Sequence, residues 1–259
     1  QEELEALVSD RTAKLREAVA ELESFSHSVA HDLRTPLRAM KGFAATLRQD
    51  HATALNSDGL SALVRIEKAA ERLQNLIDDV LQYNRMLRSD LPLVSIALDQ
   101  VIDEVVAAHP NLQPPNATIN VSHPLPEVIG HEVALTQIIS NLLQNAVKFV
   151  PPGTRPEVRI SADSENGTVR LWIEDNGIGI PAKARDKLFQ PFQRFEGSER
   201  YEGTGLGLAI VRKAVERLGG SAGVESAEGR GSRFWVALKP SGAAGLSQAE
   251  RWTDAPRQN

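Results

Sequence analysis

The feature that most constrains the fold of this chain is a long amphipathic pattern at its N-terminus. No proline or glycine interrupts residues 1–35. Apolar side chains recur there in alternating steps of four and three, with Arg11 filling one place: Leu4, Val8, Leu15, Ala18, Leu22, Phe25 and Val29. This is heptad spacing, in which one stripe of a helix faces a partner helix. The pattern therefore predicts a coiled-coil helix.

The heptad is interrupted beside a histidine. Beyond Val29, two successive steps of four lead to Leu33 and Leu37, and such a discontinuity changes the supercoil locally. Pro36 lies next to it, and its missing backbone N–H is expected to kink the helix. His31 falls about 200° around the helix from both Val29 and Leu33. The pattern therefore predicts that His31 faces away from the apolar stripe.

A second helix follows a predicted hairpin loop at residues 51–59. The first stripe continues as Met40, Ala44 and Leu47, and the second helix carries Leu63, Ile66, Ala70, Leu73, Ile77, Val80, Asn84 and Leu87. Two antiparallel helices have little core of their own, whereas two copies of the pair form a four-helix bundle. Because both stripes are narrow, we expect a homodimer. The alternative is a monomeric hairpin that packs on a second domain.

Composition limits the classes of function. The 259 residues allow about two domains. The net charge of −5 provides no basic field for nucleic acid or anionic lipid. The absence of cysteine excludes disulfides and thiolate metal sites, and no apolar run reaches the roughly 20 residues of a membrane span. We expect a cytoplasmic fragment without membrane contact, cut from a longer protein because it begins at Gln1 within a helical pattern.

After Pro92 the pattern changes to short β-like runs that alternate with helices. Strands are predicted at 94–97, 117–122, 157–161, 168–173, 222–226 and 233–238, and helices at 99–109, 132–149 and 206–218. Asp99 is expected to cap the first of these helices, and Asn166-Gly167 is a strong hairpin signal. Together these elements predict an α/β sandwich with a mixed sheet.

Five motifs occur in one order along the chain. They are His31-Asp-Leu-Arg-Thr-Pro36, Asn141-Leu-Leu-Gln-Asn145-Ala-Val-Lys148-Phe149, Asp175-Asn-Gly177-Ile-Gly179-Ile180, Leu188-Phe189 through Phe192-Gln-Arg194-Phe195, and Gly203-Thr204-Gly205-Leu206-Gly207-Leu208. They resemble the H, N, G1, F and G2 boxes of bacterial sensor histidine kinases. The match spans nearly all of residues 20–240. It implies a Bergerat-type ATP-binding sandwich, as in Hsp90-like and MutL-like ATPases, after the helical hairpin.

The resemblance also implies an organisation of the chain. Residues 1–24 correspond to a signalling linker helix, 25–90 to the dimerisation and histidine phosphotransfer domain, 91–240 to the catalytic ATP-binding domain, and 241–259 to a flexible tail. The linker resembles those that follow PAS or phytochrome-type sensors, which implies an upstream sensor domain.

The resemblance assigns ATP and Mg²⁺ as cofactors. Asn141 and Asn145 are one turn apart and share a helix face, and the neutral amide oxygen of Asn145 suits Mg²⁺, which prefers oxygen ligands. Lys148 is a natural phosphate partner, and Phe149 is implied to lie against the adenine. The alternatives are a solvated lysine and a core phenylalanine.

Asp175 is implied to accept the adenine amino group, with a simple turn residue as the alternative. Glycines let the base approach closely; the other residues implied to bind the nucleotide are Gly177, Gly179, Ile180, Thr204, Gly205, Leu206, Gly207 and Leu208. The glycines of the last motif precede a helix, whose N-terminal N–H groups suit phosphate. The segment from Ile180 to Glu202 is expected to form a mobile lid. Arg194 within it is either a phosphate ligand or a plain surface arginine.

His31 is implied to be the phosphoacceptor, although periodicity alone does not separate it from His27, four residues earlier. An imidazole is nucleophilic only through an unprotonated nitrogen, and Asp32 can orient the ring and accept its proton. Thr35, one turn on, is implied to position a water for dephosphorylation of a partner. That partner is a response-regulator receiver domain.

Two other classes of function remain open on the sequence. One is an Hsp90- or MutL-like ATPase that drives a conformational change, against which the H box and the dimerisation stripe argue. The other is a non-catalytic dimeric scaffold or phosphatase, against which the intact boxes argue.

Overall fold

The computed structural model describes residues 2–86, 92–165, 167–195, 197 and 200–242. These residues form two compact units. One comprises residues 1–89 with 202–206, and the other comprises residues 90–201 with 207–259. Most of the predicted tail, together with Leu87 and Asn166, falls outside the described residues.

The first unit is built on a helical hairpin, as predicted. Helix α1 runs from Glu2 to Asp50 and continues through Pro36, a short 3-10 turn spans Ala52–Ala54, and helix α2 runs from Ser57 to Met86. No helix in the described part of the chain is long and apolar enough to cross a membrane.

The core of the hairpin repeats every seven residues. Ala30, Leu37 and Ala44 are buried on α1, and the buried residues of α2 are Leu63, Ala70, Ile77 and Leu81. The residues of the predicted stripe therefore fall into two groups within one chain, one buried between the helices and one exposed. Leu37 and Ala44 are buried in the hairpin, whereas the other predicted positions of this part of α1 are 38–48% exposed: Val29, Leu33, Met40 and Leu47.

Ala30 was not in the predicted stripe, because the hairpin interface lies one position further around α1 than the heptad seam. The side chains of the predicted stripe before Ser26 lie outside the described residues.

Two ion pairs join the helices along one edge. Arg34 Nη2 lies 2.6 Å from Asp78 Oδ1, and Arg48 Nε lies 3.1 Å from Glu67 Oε1. The two arginines are two heptads apart, so they project from the same side of α1.

The second unit is an α/β sandwich with a mixed sheet, as predicted. Its strands are β1 (Val94–Ala97), β2 (Thr118–Val121), β3 (Glu127–Gly130), β4 (Glu157–Glu165), β5 (Thr168–Asp175), β6 (Ser221–Ser226) and β7 (Ser232–Pro240). The order is β1-β3-β7-β5-β4-β2, with β6 also paired to β7. Only β2 and β4, among the described pairs, run parallel. The β4–β5 hairpin occurs where the turn signal predicted it.

Three main helices accompany the sheet. They are α3 (Leu98–Ala108), α4 (Glu132–Lys148) and α6 (Gly207–Arg217), and a single turn, α5, spans Ala182–Arg185. Helix α4 packs against α3, α6, β4 and β5. The side chains that form this core alternate along the central strands and are almost fully buried: Val169, Leu171, Ile173, Val236 and Leu238.

On the opposite face of β5 and β7, tryptophan and arginine side chains of these two strands pack on one another. Trp172 and Trp235 are directly paired across the two strands. The guanidinium of Arg233 lies 3.8 Å from the Trp172 ring, and that of Arg170 lies 4.8 Å from the Trp235 ring. These contacts leave Trp172 only 5% exposed, so stacked arginines shield this face from water.

The prediction that Asp99 caps α3 is wrong. Strand β1 leads directly into the helix, so the cap position falls on Ala97. The Asp99 carboxylate instead accepts hydrogen bonds from the Leu125 amide, at 3.1 and 3.2 Å, and lies 2.8 Å from His123 Nδ1. It therefore ties the first turn of α3 to the segment before β3, a strand that the sequence did not predict.

The Gly219-Gly220 turn between α6 and β6 gives a test of this packing. A Cβ at Gly220 would lie 2.1 Å from the Ala237 carbonyl oxygen, whereas one at Gly219, where φ is +72°, would meet only the Lys239 side chain at an ordinary contact distance of 3.6 Å. We expect Gly220→Ala to lower the free energy of unfolding by about 1–3 kcal/mol, because backbone must move. Gly219→Asn should cost less, because asparagine tolerates this φ. Equal losses in chemical denaturation would contradict the close packing.

Candidate active-site residues in the two units

His31 is presented to solvent on α1. Its side chain is 81% exposed and that of Asp32 is 77% exposed, with 3.3 Å between His31 Nδ1 and Asp32 Oδ1. The outward orientation agrees with the heptad analysis. A neutral imidazole that donates from Nδ1 to the carboxylate keeps an unprotonated Nε2. The side chain of His27 lies outside the described residues.

The residues after His31 divide between surface and interface. Thr35 is exposed, whereas Arg34 pairs with Asp78 on α2. Partial burial acts to raise the pKa of Asp78, but the hydrogen bonds from Gln74 and Arg34, with the charge of Arg34, hold that pKa below its usual value. The turn after His31 is thus fixed to α2 on one side and open on the other.

In the second unit, α4 presents its polar face to the start of α6. Asn141 Nδ2 donates to the Gln137 carbonyl at 2.9 Å. A Cβ at Gly207 would lie 2.8 Å from Asn141 Oδ1 and 4.0 Å from Asn145 Nδ2. The two asparagines therefore share a face, as predicted, and both lie against the first residue of α6. A larger residue there would displace the Asn141 side-chain oxygen, whereas Asn145 would stay at ordinary contact distance.

These amides offer oxygen atoms without negative charge. Among the described residues, no three His, Cys, Asp or Glu side chains gather as a metal site. The asparagine pair fits Mg²⁺ that arrives with a nucleotide, because the triphosphate supplies the negative charge.

Asp175 ends β5 as a half-buried carboxylate. Its Oδ1 accepts from the backbone N–H of Gly177 at 2.9 Å and of Ser232 at 3.0 Å. Burial raises the pKa of Asp175 to about 6, against the two backbone hydrogen bonds that lower it, and nearby Glu174 adds to the increase. Both bonds go to Oδ1, so Oδ2 keeps its acceptor capacity for a ligand. This geometry favours a binding role over a turn residue.

The glycines of the same motif permit close backbone contacts. A Cβ at Gly177 would lie 2.5 Å from the Phe149 carbonyl oxygen, and one at Gly179, where φ is +70°, would lie 2.0 Å from the Ala227 carbonyl oxygen. Ile178 N donates to Phe149 O at 2.8 Å. Ile180 is buried and its N–H donates to Ser226 Oγ at 2.9 Å. The loop after Asp175 is therefore held on both sides.

Phe149 ends α4 inside an aromatic group. Its ring centroid lies 5.2 Å from that of Tyr201 and 6.4 Å from that of Phe195. Lys148 Nζ lies 4.5 Å from the Phe149 centroid. The predicted phosphate partner Lys148 thus contacts the predicted adenine partner Phe149, and Phe149 contacts the lid segment, residues 180–202.

Arg194 contacts the lid segment itself. Its Nη2 donates to the Tyr201 carbonyl at 2.7 Å. Together with Lys183 and Lys187 it lines a cavity of about 180 Å³ whose other walls are largely apolar. The structure therefore gives Arg194 a backbone partner within the lid segment.

The remaining predicted residues belong to the glycine-rich motif before α6. Residues 202–206 group with the helical unit, and Gly207 and Leu208 with the sandwich. Thr204 Oγ1 accepts from Leu206 N at 3.2 Å, and Gly205 has a φ of +78°. Leu206 is buried.

Three residues near these sites were missed from the sequence. Ser232 donates its N–H to Asp175, and the Ser226 hydroxyl oxygen accepts from the N–H of Ile180. Tyr201 packs on Phe149. Ser232 follows the turn Gly229-Arg230-Gly231, a signal for a tight return of the chain. Tyr201 stands two residues before the glycine motif, and only the fold reveals its partner.

Two family models match this chain, one mainly in each of the two units. Residues 21–88 match the family model of the His Kinase A (phospho-acceptor) domain, and residues 130–242 match that of the histidine kinase-, DNA gyrase B- and HSP90-like ATPase.

Curated relatives of this chain include sensor histidine kinases. The chain is 34% identical to the signal transduction histidine-protein kinase BarA of Escherichia coli K12, over 91% of this chain and 26% of BarA. It is 36% identical to the sensor histidine kinase AruS of Pseudomonas aeruginosa, over 92% of this chain and 25% of AruS. It is 29% identical to the phytochrome-like protein Cph1 of Synechocystis, over 86% and 30% of the two chains. The chain thus spans about a quarter of the length of these relatives.

A solved structure is similar to most of this chain. Full-length ShkA in complex with AMPPNP superposes with a TM-score of 0.62 at 30% identity, over 86% of this chain and 47% of ShkA.

The raised pKa of Asp175 predicts a pH-dependent contribution to stability. Stability from this group is fully present below its unfolded pKa, near 3.8, and is lost as the pH rises through its folded pKa of about 6. Asn in place of Asp175 cannot ionise yet keeps an oxygen for both backbone bonds. The free energy of unfolding of Asp175→Asn relative to wild type should therefore rise by about 2–3 kcal/mol from pH 4 to pH 7.

The measurement is chemical denaturation across that pH range. A flat profile for Asp175→Asn would show that the carboxylate of Asp175 is not held away from water as described.

Proposed function

The chain belongs to the sensor histidine kinases, and on that premise we propose that it uses Mg·ATP to phosphorylate His31 and passes the phosphoryl group to an aspartate of a response-regulator receiver domain. The observation that carries the proposal is that one chain contains both an exposed His31–Asp32 couple and a half-buried Asp175 carboxylate in a glycine-lined ATPase fold. The domain boundaries predicted from the sequence and a cytoplasmic location are part of the same proposal.

Nucleotide binding is assigned to the sandwich. Asp175 Oδ2 accepts the adenine amino group, because Oδ1 is already committed to two backbone N–H groups. Gly177, Gly179 and Ile180 form the wall beside it. This contact favours adenine over guanine, which presents an acceptor at the equivalent position.

The phosphates are assigned to the other end of the site. Asn145, with Asn141 beside it, would hold Mg²⁺, which neutralises phosphate charge when it is bound. Lys148 and Arg194 supply positive charge, and the N–H groups at Gly207 and Leu208 begin α6 with a favourable dipole. The residues Thr204 to Leu206 complete the glycine motif. Lys148 must leave the Phe149 ring to reach a phosphate.

His31 is the proposed nucleophile. Donation from Nδ1 to Asp32 leaves the Nε2 lone pair free to attack the γ-phosphorus in line. A bond from Nε2 to phosphorus forms while the bond from phosphorus to the β–γ bridging oxygen breaks, and ADP leaves. The Nδ1 proton stays on the ring or passes to Asp32. Catalysis here is mainly positioning and charge stabilisation.

Transfer and removal of the phosphoryl group are assigned to the same exposed surface. A receiver aspartate attacks phosphorus and releases the imidazole of His31. Thr35 lies one turn further along α1 and is exposed, so its hydroxyl can orient a water that hydrolyses the phosphoaspartate of the partner.

The decisive experiment is labelling with γ-³²P-ATP. We expect acid-labile, base-stable label on the protein, reduced at least a hundredfold in His31→Gln because no nitrogen nucleophile remains. His51→Gln, an exposed histidine at the end of α1, is the control and should label normally. ATP hydrolysis without label would favour the conformational ATPase, and absence of both would favour the scaffold.

The apolar surface of the hairpin supports a homodimer. Val29, Leu33, Met40, Phe43 and Leu47 are 38–71% exposed on α1, and Val64, Ile66 and Leu73 are 37–47% exposed on α2. A stripe of this length on a two-helix hairpin is the surface that a second copy would bury in a four-helix bundle.

We expect Phe43→Asp with Met40→Asp to shift the chain from dimer to monomer in analytical ultracentrifugation, because each charge would be buried unpaired. Val133→Asp is the control. Val133 is 63% exposed on α4, and a charge there should leave the dimer intact. Dimers that persist in the double variant, with unchanged helical circular dichroism, would place the interface elsewhere.

A further inference from the structure

The lid segment is attached to the end of α4 by one side chain in two ways. The Tyr201 ring packs on Phe149 at 5.2 Å between centroids, with 53° between the planes. Its hydroxyl donates to the Val150 carbonyl at 3.1 Å. A tyrosine thus contacts the ring of one residue and the backbone of the next, which fixes both position and direction.

The lid segment is also closed on itself at this point. Arg194 donates to the Tyr201 carbonyl at 2.7 Å. Phe195 packs on the Phe149 ring, with 6.4 Å between the ring centroids. Phe195 and Tyr201, six residues apart in the lid segment, therefore meet at the single aromatic residue that follows α4.

That residue is joined to the adenine side of the site through its backbone. The Phe149 carbonyl accepts from Ile178 N at 2.8 Å, within the loop that follows Asp175. Its ring also lies under Lys148. Phe149 is consequently the point at which the α4 end, the Asp175 loop and the lid segment are in contact.

We propose that Tyr201 is a positioning residue for nucleotide binding: its ring and hydroxyl fasten the lid segment to Phe149 and Val150, and so keep the nucleotide site ordered before ATP arrives. This rests on the proposed function of the sandwich as the ATP site. Without the attachment, ordering of the lid segment is left to the binding step and reduces affinity. Tyr201 itself does not touch the reacting atoms.

Two variants separate its contacts. Tyr201→Phe keeps the ring and loses the hydrogen bond to Val150, and we expect KM for ATP to rise about threefold to tenfold. Tyr201→Leu loses the aromatic pair as well and should raise KM further. In both, kcat for autophosphorylation should stay within about twofold of wild type, because the chemistry is unaltered. A merely structural role would lower the active fraction, and hence kcat, without a change in KM.

Limited trypsin digestion gives a readout that needs no nucleotide. Cleavage after Lys187 and Arg194 in the lid segment should be several-fold faster in Tyr201→Leu than in wild type, and ADP should restore part of the protection. Phe192→Leu is the control, because Phe192 is a lid aromatic that is 61% exposed and lies outside the Phe149 group. It should not accelerate the cleavage.

The outcomes are distinguishable. Unchanged KM and unchanged cleavage in both Tyr201 variants would overturn the proposal. If the wild-type chain neither binds ATP nor is labelled, the proposed function fails, and the cleavage comparison in the absence of nucleotide still decides whether Tyr201 fastens the lid segment.

Discussion

The sandwich depends on a carboxylate that it holds partly out of water. Asp175 is half-buried at the end of a central strand, and two backbone N–H groups on one oxygen hold it there. One of those groups comes from the next loop and the other from the start of β7. An ionised carboxylate in this position has a cost, which is visible in its raised pKa. The second oxygen is the place where a ligand could lower that cost, since an N–H donor would complete the solvation that burial removed.

Much of this arrangement could be predicted from the sequence, because it is carried by local signals. The two long helices follow from their apolar period, and the β4–β5 hairpin follows from its Asn-Gly turn signal. The asparagines of α4 share a face because helix geometry requires it. The glycines near Asp175 were assigned to close approach, and the structure shows contacts that a Cβ would prevent.

The features that could not be predicted depend on contacts between residues that are far apart in the sequence. Strand β3 has four residues and follows a proline-rich turn, so its alternation is too short to detect; pairing with β1 and β7 makes it a strand. Ala30 is buried because α2 lies beside it, which the period of α1 alone does not reveal. Asp99 has the residue type of a helix cap, but the preceding strand moved the cap position to Ala97. The partner of Tyr201 lies 52 residues earlier, at Phe149.

The buried residues of the hairpin differ in size in a regular way. Along α1 they read small, large, small at Ala30, Leu37 and Ala44, and along α2 they read large, small, large at Leu63, Ala70 and Ile77. Because the helices run antiparallel and Arg34 and Arg48 pair with Asp78 and Glu67, counting in heptads from the turn at 52–54 places each alanine level with a larger residue. A slip of one heptad would set large against large and small against small, and would also separate both arginine ion pairs. The hairpin therefore has a single axial register. A displacement imposed on α1 carries α2 with it, so His31 can be moved by tilting or rotating the hairpin as one body, but not by sliding one helix along the other.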